Sequence, residues 1–325
     1  MDVNVLLRFK AEISSLLPSK SNFNIAVAVS GGSDSTALAV LLAKASLARV
    51  NKIFCVTVDH GLRNGSLAEA ENIGKILKEL NINHQIISWI GKKPTSNIQE
   101  EARLNRYRLL TEFCHEHNIS FLATGHQQND QAENFLIRAE HGSGLYGLAG
   151  IPRVTEFNKV KVIRPLLEFN KKELQQFLKN ENIEWTEDPS NQNERFTRIK
   201  FRKYLDQQPE WIAKLSSISK NLNKAKECVE YMLEKSIKEL VDFSEKGVAS
   251  INYHDFNQLP QEIRFRMLTK ILLIIGSDKK AARGERIERL IGKIELGKDF
   301  KASTLGKCLI RRKKDTIVIQ PEMAV

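Results

Sequence analysis

The chain has 325 residues, 42% of them hydrophobic, and carries 50 Lys and Arg against 39 Asp and Glu, a formal net charge of +11. That length suits two domains with a buried core, and no apolar run approaches the roughly 20 residues that span a bilayer. The basic excess makes a polyanion such as nucleic acid the natural class of partner, although lysine-rich composition alone does not decide it.

Taken in chain order, MDVNVLLRFKAEISSLL at the start reads as an amphipathic helix. As a secretion signal it is poor, because Asp2 precedes any basic residue and Arg8, Lys10 and Glu12 interrupt the apolar positions. The apolar run 24–29 predicts a buried strand, SGGSDS follows it at once, and residues 36–48 predict a helix. A second strand, 53–58, ends at Asp59-His60-Gly61; a helix over 67–80 has Ile73, Ile76, Leu77 and Leu80 on its apolar positions. A third strand is expected over 84–89, a long helix over 98–117, a short strand over 121–123 ending at Thr124-Gly125-His126, and a helix over 131–138. Apolar strands alternating with helices indicate a parallel sheet covered on both faces. Such sheets bind ligands beyond the carboxyl ends of their strands, where the three polar motifs fall.

After Gly150 the pattern predicts a strand over 160–163, a helix over 171–179 and a break at Pro209. A lysine-rich helix then runs from 210 to about 241, followed by helices over 261–275 and 285–295 and strands over 303–311 and 316–319. The expected organisation is a catalytic domain over 1–209, a helical connector over 210–245 and a C-terminal module over 246–325. The cysteines Cys55, Cys114, Cys228 and Cys308 have no CxxC spacing, which indicates neither a zinc knuckle nor a dithiol site and fits a reducing compartment.

Ser30 to Ser35 follow a strand and open a helix. The glycines Gly31 and Gly32 let backbone amides approach an anion, the helix N-terminus favours negative charge, and Ser30, Ser33 and Ser35 add hydroxyls. No lysine follows, so this is not the GxxxxGK[ST] loop. Asp34 repels phosphates unless a cation lies between, and Mg²⁺ takes carboxylate and phosphate oxygens together. Downstream, Asp130 and Glu133 share one helix face and can hold an ammonium group, or simply suit a helix N-terminus. His126 suits a nucleotide contact or a strand cap. Arg195, Arg198, Lys200 and Arg202 crowd a short stretch that can neutralise RNA phosphates or line a solvated helix face, and Arg103 and Arg106 read the same way.

SGGSDS matches the SGGxDS loop of the N-type ATP pyrophosphatases, which split ATP into AMP and pyrophosphate and adenylate a substrate. Added to VDHGLR (58–63), NIQEEARLNRY (97–107), ATGHQQNDQAENFLIR (123–138), GSGLYGLAGI (142–151), RPLL (164–167) and EDPSNQNERFTRIKFR (187–202), it makes the chain resemble the tRNA(Ile)-lysidine synthase family over roughly residues 22–205. TLGKCLIRR near Thr304 resembles that family's C-terminal module. The resemblance implies an α/β, Rossmann-like, adenine nucleotide alpha hydrolase-like domain, with a smaller, mostly helical α+β C-terminal module that binds tRNA. It implies a cytoplasmic ligase that adenylates the C2 carbonyl of the wobble cytidine in a CAU-anticodon tRNA(Ile), after which free L-lysine displaces AMP. Asp34 would hold Mg²⁺; Asp59, His60 and His126 would join Ser30–Ser35 around ATP; Asp130 and Glu133 would bind lysine. Arg103, Arg106, Arg195, Arg198, Lys200 and Arg202 would face the tRNA. Oligomeric state stays open, a homodimer included. Departures from the family pattern are Asn129, where a second acid is usual, Asn134 and Ile199. The alternatives are a tRNA thiolase of the same class, which generally needs paired cysteines, a small-acid amide ligase, and an inactive RNA-binding relative.

Overall fold

Alternation along the first strand sets the layering. In β1 (Phe23–Ala28), Ile25 and Val27 pack into one cluster and Ala26 into another, and none of the three retains solvent exposure. A strand buried on both sides belongs inside a covered sheet, and that is where the computed structural model places it. The structure describes residues 3–61, 65–91, 98–186, 197–245, 247–276, 282–296, 300 and 302–322. Arg195, Arg63 and Asn97, and the stretch 187–196, lie outside the described residues.

The first sheet has the order β3-β2-β1-β4-β6-β5, with β2 at Val50–Asp59, β3 at His84–Ser88, β4 at Phe121–Thr124, β5 at Val154–Phe157 and β6 at Val160–Ile163. The first four strands and β6 run parallel, and β5 pairs antiparallel to β6. One face carries α1 (Val3–Leu16), α2 (Ser33–Ala45), α3 (Ser66–Glu79) and α7 (Lys171–Asn180); the other packs against Leu110, Phe113 and Cys114 of α4 (Ile98–Glu116). The opening amphipathic pattern becomes α1, whose Phe9 and Ile13 sit one turn apart with 0% exposure. Each such burial contributes about 1.5–3 kcal/mol.

β5 was not legible as a strand. Its residues alternate between exposed and half-buried, so it offers no apolar run. Asn158 and Lys159 both adopt positive φ (47° and 62°), the geometry of a type I′ hairpin turn. Beyond the sheet come α5 (Gln128–Glu140), α6 (Leu145–Leu148), α8 (Thr197–Gln207) and α9 (Glu210–Leu240).

The chain divides into two compact units, Met1–Asn223 and Lys224–Val325, the division falling inside α9, the helix expected to connect the two domains. The second unit holds a five-stranded antiparallel sheet, β7-β8-β11-β10-β9. Its strands are β7 (Val241–Phe243), β8 (Ala249–Asn252), β9 (Ser303–Leu305), β10 (Cys308–Lys313) and β11 (Thr316–Pro321). The 303–311 run therefore splits at a turn into β9 and β10, and β7 and β8 join two strands too short to show a period. Helices α10 (Tyr253–Gln258), α11 (Gln261–Gly276) and α12 (Gly284–Glu295) complete this unit, Ile271 of α11 and Ile294 of α12 packing with Ile310 of β10 in its core. Among the described residues no helix is long and apolar enough to cross a membrane.

Candidate active site

The chain leaves β1 for β2 and β3 on one side, then returns to place β4 on the other. The loops after β1 and β4 leave the sheet on either side of this switch point, the place where open α/β sheets bind ligands. Gly31 turns the first loop with φ +87°, a conformation that strains any L side chain, and its carbonyl accepts the Thr186 N–H at 2.9 Å. Gly32 is the N-cap of α2 and gives it no side-chain hydrogen bond. The first-turn amides of Ser33, Asp34 and Ser35 thus point out of a helix end that no side chain caps, which is a ready anion site. Hydroxyls brace the loop: the Ser30 N–H donates to Ser35 Oγ at 3.1 Å, and Ser35 Oγ donates to the Gly32 carbonyl at 3.1 Å. These residues fit a nucleotide's pyrophosphate.

Gly125, after β4, makes this cradle possible in a way the sequence did not announce. A Cβ there would sit 3.0–3.1 Å from the backbone of Asp34 and Ser35. Backbone cannot swing aside as a side-chain tip can. Gly125→Ala is therefore expected to displace the first turn of α2 and weaken ATP binding at least tenfold with little change in unfolding temperature; calorimetric titration with a non-hydrolysable ATP analogue checks it, and unchanged affinity would refute the close-approach argument.

Asp34, in that first turn, has its carboxyl pushed up from 3.8 to about 6, first by burial and next by the charge of Asp130, against the opposing effects of Lys171, Ser33 and Gln127. A desolvated acid facing a second acid is relieved by a cation. Among the described residues no three His, Cys, Asp or Glu form a metal cage on their own. That donor set suits Mg²⁺, which is commonly held by one or two carboxylates plus substrate phosphates.

Asp130 and Glu133 do lie on one face of α5, and the structure fills that face with arginine. Arg198 of α8 donates from Nη2 to Asp130 at 2.5 Å and from Nε to Glu133 at 2.6 Å. Arg202, one turn on, reaches Glu133 at 2.8 Å from Nε. Glu133 is only 2% exposed. Asp130 also accepts the Gln127 N–H at 3.0 Å while Gln127 accepts the Asn129 N–H, a reciprocal cap in which Asp130 serves the helix N-terminus. Asn129 accepts the Lys171 N–H at 3.2 Å, tying α5 to α7, so an amide serves where an acid is usual. Ile199 is buried, which accounts for an apolar residue at that departure. Lys200 pairs with Glu140 at 3.0 Å on the exposed side of α8.

His126 sits at the mouth of β4 with Nδ1 3.0 Å from Thr124 Oγ1. Burial first, then the charges of Arg164, Arg198, Arg103 and Arg106, push it down to about 3, so it is neutral at any physiological pH. Arg164 is itself buried, donating to the Pro152 carbonyl at 2.8 Å and Thr155 Oγ1 at 3.1 Å. Its place in the site was not foreseen; an arginine directly after a strand is the signal that existed. At the end of β2, Asp59 accepts the Gly61 N–H at 2.9 Å and the Ser66 hydroxyl at 2.6 Å, tying the strand end to the first residue of α3. His60 Nε2 accepts Arg106 Nε at 3.3 Å and stands edge-on to Trp89 at 6.0 Å. Arg103 lies 5.8 Å over the Tyr107 ring. Guanidinium groups from α4, β6's end and α8 therefore converge on a neutral histidine beside the phosphate cradle.

A glycine- and serine-rich loop that opens an uncapped helix at the switch point of a parallel sheet places the chain in the PP-loop class of α/β proteins, and the PP-loop domain family matches residues 5–208. The tRNA(Ile)-lysidine synthase of Orientia tsutsugamushi is 33% identical over 314 residues, covering 93% of this chain and 70% of that protein. That of Rickettsia bellii is 33% identical over 319 residues, covering 97% and 73%, and that of Hyphomonas neptunium 34% over 321 residues, covering 97% and 86%. The chain belongs to the tRNA(Ile)-lysidine synthase family. Among solved structures, a U34-tRNA thiolase, NcsA from Methanococcus maripaludis with its [4Fe-4S] cluster, superposes with a TM-score of 0.58 at 20% identity, covering 69% of this chain and 80% of that one, which shows a shared fold.

Proposed function

We propose that this protein is an ATP-dependent ligase that makes lysidine: it adenylates the C2 carbonyl of the wobble cytidine in a CAU-anticodon tRNA(Ile), and free L-lysine then displaces AMP. The observation that carries the reading is the uncapped α2 N-terminus with Asp34 in its first turn, set beside a carboxylate pair and a convergence of arginines. The Ser30–Ser35 amides and hydroxyls bind and orient the leaving pyrophosphate. Asp34, with Asp130 near it, would hold Mg²⁺, which supplies neutralisation of phosphate charge when bound. Asp59, His60 and His126 border the nucleotide, Asp130 and Glu133 take the lysine ammonium, and Arg103, Arg106, Arg198, Lys200 and Arg202 meet the RNA. The incoming amine must be neutral to attack, and His126, held near 3, is too weak a base to take its proton at neutral pH.

The thiolase alternative is not favoured by the cysteines. Cys55 and Cys114 lie in clusters on opposite faces of the sheet, and burial pushes each thiol up to about 12, which keeps it protonated and unreactive. Incubation with ATP, labelled lysine and a CAU-anticodon tRNA(Ile) transcript tests the proposal: label on the RNA and AMP release that needs both lysine and RNA are expected, whereas AMP release indifferent to lysine, or RNA binding without ATP consumption, would overturn it.

The raised Asp34 also sets a pH dependence. Below about 6 the carboxyl takes a proton and ceases to be a metal ligand, so Mg²⁺-dependent nucleotide affinity is expected to fall as pH drops from 7 to 5, with proton release on binding near pH 6. Calorimetry in buffers of differing ionisation enthalpy reads this; Asp34→Asn should remove the dependence.

A further inference from the structure

The end of β3 carries an aromatic ring that the reaction as proposed does not use. Trp89 follows the strand directly, and its N–H donates to the Asp59 carbonyl at 2.8 Å, adding one bond to the β2–β3 ladder. That bond fixes the indole at the carboxyl edge of the sheet, the edge from which the phosphate loop leaves β1. The ring is half-buried, and His60 meets it nearly at right angles, with 81° between the planes and 6.0 Å between the centroids. His60 Nε2 in turn accepts Arg106 Nε at 3.3 Å. A histidine acceptor orders a guanidinium without bringing a negative charge to it. Arg103, three residues earlier on α4, is exposed as Arg106 is, and the charges of both reach His126 beside the phosphate cradle. Ile90, next after the ring, is 90% exposed and adds apolar surface at the end of β3.

An aromatic ring beside exposed guanidinium groups is the combination that holds unpaired nucleotides: the base stacks on the ring and the cations take the phosphate. Two sources of a base are at hand. ATP, on the proposed reading, spends its phosphates on the α2 N-terminus, so its adenine would bring no charge to Arg106. An RNA nucleotide brings base and phosphate together, which suits the ring and the arginine at once. Position points the same way. β3 lies two strands from β1, about 10 Å at the usual strand spacing, so a base at Trp89 sits to one side of the phosphate cradle and not at it. From this juxtaposition we infer that Trp89 is the stacking site for an unpaired base next to the reacting cytidine of the RNA, with Arg106, ordered by His60, on the phosphate of that same nucleotide. The inference rests on the lysidine-forming reading and adds a base-holding site to it. A neighbouring base pinned on Trp89 keeps the RNA loop splayed, and the cytidine is thereby presented to the cradle already unstacked.

The experiment is a binding titration of the full chain against the CAU-anticodon tRNA(Ile) transcript, either intact or with an abasic sugar at one of the two nucleotides that flank the wobble cytidine. Trp89→Ala is expected to bind the intact transcript about tenfold more weakly, the scale of one lost base–aromatic stack. Its dependence on salt should match that of wild type, because no phosphate contact is removed. Arg106→Gln should instead lower the salt slope by about one. One of the abasic transcripts should bind wild type about tenfold more weakly, yet bind Trp89→Ala as well as the intact transcript does, since ring and base then act as one pair. Trp89→Leu keeps apolar bulk without the aromatic face and serves as the second variant should Trp89→Ala unfold; Trp89→Phe should retain most of the affinity. Intact-transcript affinity unchanged in both the Ala and Leu variants, or abasic transcripts that weaken wild type and variants alike, overturns the stacking site. A loss confined to the non-hydrolysable ATP analogue makes the ring an adenine platform and overturns the assignment to RNA. Labelled-lysine transfer by wild type separates the two claims: a protein that transfers lysine while its Trp89 variants bind RNA normally loses only the stacking site, whereas one that transfers none loses the reading beneath it.

Discussion

Asp34→Ala is expected to lower RNA-dependent AMP formation by a factor on the order of 10³, the upper range for removing one group that stabilises developing charge, while RNA affinity stays within about twofold of wild type on the same scale of argument. The side chain lies in the first turn of α2, where the anion binds, and no other residue within that turn carries a carboxylate. The structure adds a second readout. In the nucleotide-free fold the ionised carboxylate is disfavoured by burial and by Asp130, which is why its pKa stands at about 6 rather than 3.8. The unfolded chain ionises it freely. Between those two values stability therefore falls as pH rises, and at pH 7 the charged group destabilises the fold. Alanine should accordingly leave the unfolding temperature unchanged or raised without Mg²⁺. Loss of activity together with equal or greater stability marks a residue kept for chemistry. Normal turnover would remove its metal role, and a large drop in stability would show that Asp34 instead supports the fold.

Glu133→Gln is expected to fall mainly on lysine. The lysine concentration for half-maximal turnover should rise at least tenfold, while RNA-dependent exchange of pyrophosphate into ATP, which precedes the amine, is largely kept. A cost in stability accompanies it. Glu133 is buried and compensates Arg198 and Arg202, so weakening it leaves two guanidinium groups without their shared acceptor. Because both arginines keep access to water, the penalty is placed at about 1–3 kcal/mol, the range for a hydrogen-bonding group left unsatisfied. Denaturant unfolding measures it. An unchanged lysine requirement would count against the assignment of this acid, whatever happens to stability.

Much of the architecture could be read from the residues because the parallel strands are apolar on both sides. NIAVAV and IFCVTV announce burial directly, and the polar motifs after them fall at the carboxyl edge, where such sheets bind ligands. The strands that escaped notice lack that signal: β5 alternates weakly at an edge, and β7 and β8 have three and four residues. For the site, SGGSDS and the acidic pair Asp130 and Glu133 are the sequence signals on which the proposed chemistry rests. What holds those groups was out of reach, because it depends on contacts between distant segments. Arg198 meets Glu133 across 65 residues, and nothing in either segment alone says that the basic stretch expected to face RNA folds back onto the acids. Gly125 is of the same kind: its need to be glycine comes from the backbone of α2, brought near by the pairing of β4 beside β1. Gln127 was legible in principle, since its side chain and Asp130 three residues on form a capping box.

The whole account depends on where a nucleotide's phosphates come to rest. A crystal structure of the protein with Mg²⁺ and a non-hydrolysable ATP analogue decides it. Phosphate oxygens within hydrogen-bonding distance of the Ser33, Asp34 and Ser35 amides, with the metal ion between them and the Asp34 carboxylate, are the expected result. Phosphates bound elsewhere, with the Gly31–Ser35 turn left as it is here, would contradict the assignment of this loop and the ligase chemistry built on it.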